Sequence, residues 1–426
     1  MKTDRTTPIA FQTVSKVAIP KWQKLVLNNG VDLYYINSGN SGVLKLDIVF
    51  NAGVDKQKQK SIAKAVSSML LSGTNSRNSA QIASGLDYWG AYLQAHCYPD
   101  DAVLTLFSLS KNTKNCLPFI SDILTNSAFP ETELETYKRN AVQKLLENEK
   151  KNRFLARRLF YSSVFGNESK YGSFSLSSDY INISRENLLS FYKDNYFGGI
   201  KYIIASGNTN KQTLDRLFCF FSTLHHHKTM VSPGLKGLGD KPKRLVLDKP
   251  ESNQTAIRIG YKTINRAHVD FLGLQLLNLV LGGYFGSRLT KVIREEKGLT
   301  YGIYSSLESF TDCGCFSIET EINSAATQIC EEEIYKEIQR LRSVLISKEE
   351  LDRAKRYFSG LIIRSLDGPF SISERLKTII DWDYSNNYYG SILERIAHYT
   401  SEDLMVLAVK YLNPKLFTTV IVGKKT

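Results

Sequence analysis

Nothing in the 426 residues approaches the run of about 20 apolar side chains that a helix needs to cross a bilayer. The opening residues MKTDRTTPIAFQTVSKVAIP carry no apolar core of the secretory kind, so a soluble cytoplasmic chain is the expectation. The six cysteines (97, 116, 219, 313, 315, 330) form no CxxC pair and have no histidine at metal-ligand spacing. They read as buried, reduced thiols in a reducing compartment. Histidine is equally sparse, six residues at 96, 225, 226, 227, 268 and 398, with no two placed one helical turn apart beside an acid. A GxSxG elbow and a P-loop are both missing, which removes the commonest hydrolase and nucleotide chemistries. The net charge of +13 is scattered, with no block of Lys/Arg and no nucleic-acid module. It reads as a solubility device with an electropositive cavity.

The composition that remains, 42% hydrophobic and 23% charged, is that of a globular protein long enough for two or three domains. The chain repeats itself. Leu134 and Leu351 each open a helix in an acidic, then basic context, 217 positions apart. Glu186-Asn187-Leu188 and Glu402-Asp403-Leu404 follow at 216, each leading through a tyrosine (Tyr196, Tyr411) to an apolar strand. Those strands, 202–207 and 418–423, close on glycines again 216 apart. A tandem duplication is the economical reading. It divides the chain into a first repeat (1–223), a Gly/Pro/His linker (224–243) and a second repeat (244–426). The linker's His225-His226-His227 reads as an exposed, incidental run.

Within the first repeat, 24–27 and 31–36 flank an Asn29-Gly30 turn as a hairpin would. Val43–Phe50 alternates around Leu44, Leu46, Ile48 and Phe50 like a half-buried strand. Ile62, Val66, Met69 and Leu70 then recur at helical spacing. The expected class is α+β: two tandem homologous domains, each a mostly antiparallel sheet packed with helices.

Residues 61–74, SIAKAVSSMLLSGT, resemble the zinc helix of the pitrilysin/insulinase (inverzincin) peptidases, whose motif is HxxEH with Met-Leu and Gly-Thr flanks. Met69, Leu70, Gly73 and Thr74 fit those flanks. The motif positions do not fit: Lys64 and Ser68 stand for the two histidines and Ser67 for the general base. The resemblance places the third ligand near Leu145, on a stripe with Leu134 and Ala141 that reads as core; Glu147 is a lone acid nearby. No metal site, no cofactor and no peptidase activity are therefore expected of this chain alone, with zinc confined to a partner.

The second repeat keeps what the first has lost. The run LGGYFGSRL…IREEKGLTYG, residues 281–302, resembles the family's C-terminal signature and implies that Arg294 and Tyr301 face a zinc site. There a tyrosine hydroxyl would stabilise a developing oxyanion and a guanidinium would hold substrate carbonyls. Gly282, Gly283 and Gly286 read equally as a loop that approaches substrate and as plain turn geometry. A third resemblance, at residues 90–98, implies a peptide-pairing edge strand at Leu93, Gln94, Ala95 and His96. His96 itself reads as a hydrogen-bonded, partly buried imidazole.

Family members enclose a chamber with four such domains, from one long chain or two half-length ones. The resemblance thus implies the zinc-free subunit of a heterodimeric peptidase, partnered by a zinc-bearing homologous subunit and acting on peptides or unfolded segments. The rival reading is a homodimeric peptide-binding or scaffold protein with no part in hydrolysis. Neither needs nucleic acid or membrane.

Overall fold

In the computed structural model the described residues are 21–37, 42–227 and 242–425. Most of the 224–243 linker therefore lies outside them. The first half supplies β1 (Gln23–Val26), β2 (Asp32–Asn37), β3 (Val43–Phe50), β4 (Tyr92–Cys97), β5 (Ala102–Leu109) and β6 (Ile200–Gly207). They form one sheet in the order β1-β2-β6-β3-β5-β4, antiparallel except between β2 and β6. The second half supplies β7 (Arg244–Asp248), β8 (Gln254–Thr263), β9 (Thr300–Ser309), β10 (Gly314–Asn323) and β11 (Thr418–Gly423). Their order is β7-β11-β8-β10-β9, again with one parallel pair, β7 with β11. The hairpin at Asn29-Gly30 forms as its turn chemistry dictates, with Gly30 at a φ of 85°. Both sheets end on a free edge strand, β4 and β9.

The helices of the first half are α1 (Ile62–Met69), α2 (Ser79–Tyr88), α3 (Thr113–Asn126), α4 (Glu131–Glu149), α5 (Asn152–Phe165), α6 (Ser177–Ile181), α7 (Arg185–Asn195) and α8 (Lys211–Ser222). Those of the second are α9 (Phe271–Asn278), α10 (Thr327–Ser343), α11 (Lys348–Arg364), α12 (Pro369–Asp381), α13 (Tyr388–His398) and α14 (Ser401–Tyr411). The duplicated signatures fall on matching elements: Leu134 on α4 and Leu351 on α11, Leu188 on α7 and Leu404 on α14.

One packing relation is invisible in the repeat. α5 packs on β8 and β11 of the second sheet, and its counterpart α12 packs on β6 and β2 of the first. Ala156, Phe160 and Val164 of α5 share a core with Ala256, Cys315, Val420 and Val422. Ile372, Leu376 and Ile379 of α12 join the cluster that holds Tyr34, Ile36, Tyr202 and Ile204. The halves exchange a helix.

This exchange corrects the reading of β3 as half-buried. Its alternate positions Lys45 and Asp47 are only 4% and 6% exposed, because α12 covers the face that alternation assigns to water. Lys45 pairs with Asp47 at 3.0 Å and with Glu374, and donates to Ser373 on α12. The second sheet does the same under α5, where buried Arg258 pairs with Glu319 at 2.6 Å and lies over the Phe160 and Tyr161 rings.

Candidate functional site

The degenerate helix α1 is well held despite its lost donors. Ser61, at its start, takes a left-handed φ of 75° and donates to Ser175 at 2.6 Å. Beyond its end, Gly73 has a φ of 147° and Thr74 donates to Asp122 at 2.6 Å. Burial would raise the Asp122 carboxyl, but hydrogen bonds from Ser76, Thr74, Asn126 and Arg77 hold it below the usual carboxylate value. The Gly-Thr flank is therefore a structural staple of the turn.

Lys64 and Ser68 stand one helical turn apart on the exposed side of α1 and open into a cavity of about 800 Å³. α4 presents Tyr137, Asn140, Ala141, Lys144, Leu145 and Asn148 to it, positions on one helical stripe. Leu145 is 8% exposed and lines the cavity with Ala141, so of the stripe read as core Leu134 is core and the other two form a cavity wall. Glu147 lies on the other face of α4 with Leu146 and bonds Gln143 at 3.0 Å. It cannot substitute for a ligand at Leu145. Ser67 turns the opposite way, 3% exposed in the core beside Tyr196; the two hydroxyls approach each other without full hydrogen-bond geometry, and neither has another partner among the described residues.

A zinc ion does not fit this set. Lys64 is a cation, Leu145 has no donor, Ser67 faces the core, and a single hydroxyl at Ser68 is no site. Among the described residues no group of three His, Cys, Asp or Glu side chains is placed to hold a metal. Burial pushes the Cys97 thiol, at the cavity mouth, up to about 12 in spite of the nearby Lys64 ammonium, so it is no nucleophile at neutral pH. The six cysteines are all free, and five are buried or half-buried; Cys219 departs from expectation by lying exposed. Two histidine readings also change. The His225-His227 run packs back on the chain, with His225 stacked on Phe197 and His226 bonded to the Gly198 carbonyl at 3.1 Å. His96 is exposed, its ring 6.4 Å from that of Tyr98.

The β4 segment is a free edge, bonded to β5 alone, with Leu93 buried and Gln94 and Ala95 half-buried. Its end, Cys97-Tyr98-Pro99, forms part of the cavity wall. The opposite wall comes from the second half, through Glu308 near the end of β9 and Phe310 just beyond it. Phe310 stacks on Tyr171, ring centroids 4.4 Å apart, while Lys170 bridges Asp100 and Asp312 at 2.6 and 2.9 Å. These contacts tie the two halves across the cavity.

Arg294 and Tyr301 are somewhere else. Tyr301 is 93% exposed near the start of β9, whereas Glu308, near the end of that strand, borders the cavity. Seven residues of extended strand separate them, roughly 23 Å. Arg294 sits in a wide helical turn, Thr290–Glu296, its guanidinium 4.9 Å from the Phe285 ring, which is itself exposed. Neither side chain forms an ion pair or side-chain hydrogen bond among the described residues. Packing constrains two of the glycines beside them: a Cβ at Gly282 would lie 2.9 Å from the Ser305 backbone nitrogen, and one at Gly286 2.9 Å from the Tyr284 ring. The sequence predicts an electropositive cavity, but not that Lys144, Arg157, Arg158 and Lys170 join Lys64 in lining it, nor its aromatic walls. Only the stripe on α4 hinted at that lining.

Fold and site together define a metallopeptidase framework whose metal-binding helix has lost its donors. Residues 37–173 match the family model described as insulinase (peptidase family M16), and residues 182–358 match that described as the peptidase M16 inactive domain. The chain belongs to the M16, or pitrilysin/insulinase, family, as a half-length member without the HxxEH motif. It is similar to an uncharacterized zinc protease of Rickettsia felis, 24% identical over 93% of this chain and 96% of that one. The uncharacterized zinc protease YmxG of Bacillus subtilis is also 24% identical, over 72% and 75% of the two chains. Among solved structures, a peptidase M16 inactive domain from Pseudomonas fluorescens superposes with a TM-score of 0.88 at 21% identity, over 95% of this chain and 98% of that one. A protease from Helicobacter pylori gives 0.84 at 17%, over 95% and 100%.

Proposed function

We propose that this chain is the zinc-free subunit of a two-chain M16 peptidase and lends Arg294 and Tyr301 to the metal site of a homologous partner. The observation that carries the reading is the exposure of Tyr301 at the end of β9 away from the chain's own degenerate helix. The phenol makes no ion pair or side-chain hydrogen bond among the described residues, which supports a role outside its own chain. In a shared chamber its hydroxyl would donate to the oxyanion that develops on a scissile carbonyl, while Arg294 would hold a neighbouring peptide carbonyl. The free edge of β4 would align extended polypeptide by strand addition. A reducing, cytoplasmic setting accords with six free thiols, and no helix of the described residues is long and apolar enough to cross a membrane.

The test is reconstitution. A zinc-bearing half-length homologue from the same source, mixed with this chain, should cleave an unfolded peptide that neither chain cleaves alone. In that mixture Tyr301→Phe should lower kcat by roughly 10²–10³ with little change in KM. Full activity with Tyr301→Phe would remove the shared-site role and leave the homodimeric peptide-binding or scaffold reading.

A further inference from the structure

Among the described residues five basic side chains line the cavity beside α1, against one acidic side chain, Glu308. Some of that charge is already answered. Arg158 pairs with Glu149 and stacks on the Phe174 ring at 3.8 Å. Lys170 is held between Asp100 and Asp312. Glu308 accepts the hydroxyl of Tyr161. Three cations remain, one from each of three helices: Lys64 on α1, Lys144 on α4 and Arg157 on α5. None has a carboxylate partner among the described residues; Arg157 meets only the Tyr161 ring, 5.6 Å away.

Three converging, unanswered cations in a concave site with aromatic walls select an anion that carries apolar neighbours. The free edge of β4 says what kind. A strand added to β4 would run toward Cys97-Tyr98-Pro99, and those residues already form the cavity wall. We propose that the former metal cavity of this chain is a binding site for the acidic side chains of an extended polypeptide paired with β4. Lys64, in this arrangement, supplies a positive charge where the family fold would otherwise hold a metal, so an acidic side chain is held there and the peptide bonds beside it stay intact. The inference goes beyond the shared-site reading and has only strand addition at β4 in common with it, because it concerns binding by this chain alone.

The experiment uses the full chain and three fluorescein-labelled peptides of alternating Thr and Val, with central Glu, Gln or Lys residues, followed by anisotropy. Three exposed charge pairs should make the Glu peptide bind roughly tenfold more tightly than the Gln peptide, and the Lys peptide most weakly. Lys64→Gln combined with Lys144→Gln and Arg157→Gln should abolish that preference. A control that removes three exposed lysines elsewhere (Lys114→Gln, Lys211→Gln, Lys415→Gln) should retain it, which separates the site from the overall +13 charge. Charge reversal at the three cavity positions to Glu should transfer the preference to the Lys peptide, and thermal melting checks that each variant folds. Equal binding of the Glu and Gln peptides by the native chain would overturn the proposal. So would a preference that survives the cavity substitutions, or one lost equally in the control. Intact peptidase reconstitution alongside such a failure would sink this inference and spare the shared-site reading.

Discussion

Ser67 and Tyr196 show what becomes of a catalytic position once its chemistry is gone. The serine standing for the general base lies in the core beside a buried phenol, and neither hydroxyl has a partner at full hydrogen-bond geometry among the described residues. An unpaired buried hydroxyl costs about 1–3 kcal/mol, so removing one should not destabilise the fold in the ordinary way. Tyr196→Phe is expected to leave unfolding stability within about 0.5 kcal/mol of the native protein, or to raise it, by urea denaturation. A loss near 2 kcal/mol would mean that the hydroxyl has a partner after all. The cavity side of α1 offers a complementary test, because Lys64, Ser68 and Leu145 line one space. The native chain should carry no stoichiometric zinc by elemental analysis. Lys64→His with Ser68→His and Leu145→Glu should gain about one zinc per chain, since that set restores two imidazoles and a carboxylate. If the variant folds but takes up no metal, the helices as well as the donors have moved from a metal-binding geometry.

The two exchanged helices carry the polar weight of the interface between the halves. Lys377 on α12 pairs with Asp101 and, at 2.6 Å, with Asp381, which also receives Lys201 and the Tyr202 hydroxyl at 2.8 Å each. Lys377→Met should therefore cost about 3 kcal/mol, because it leaves the buried Asp101 carboxylate without an ion-pair partner among the described residues, while Asp381 keeps Lys201. Burial alone would raise the Asp381 carboxyl, but the ammonium groups of Lys377 and Lys201 hold it below its ordinary value. A carboxylate depressed in the folded state contributes stability above its unfolded pKa of about 3.9 and loses it as pH falls through the lower folded value. Denaturation midpoints should therefore decline below about pH 4. Part of that decline should disappear in Lys377→Met. Identical acid sensitivity in the two proteins would refute the link. Most individual elements were legible in advance: the Asn29-Gly30 hairpin, β3 at Val43–Phe50, the helix beginning near Ile62 and the repeated α4/α11 and α7/α14 pairs. Local periodicity and turn chemistry encode such features, and they do not depend on what packs above them.

At the scale of the whole molecule, the candidate site is made between halves, and for that reason only part of it could be read. Tyr171 stacked on Phe310, and Lys170 between Asp100 and Asp312, join segments about 70 and about 140 residues apart. No local pattern announces such a pairing. The duplication, the α+β class and the loss of metal donors at Lys64, Ser67, Ser68 and Leu145 were determined by the sequence itself, because each rests on residue identity at a fixed spacing. Tertiary structure alone decided three other things. It placed α5 and α12 on each other's sheets, which buried Lys45 and Asp47 where alternation assigned them to water. It set Tyr301 roughly 23 Å along β9 from the cavity that Lys64 lines. And it gathered Lys64, Lys144 and Arg157 from three helices around one space. Their meeting depends on how helices cross and sheets twist, and those are properties of packing that a run of residues does not carry.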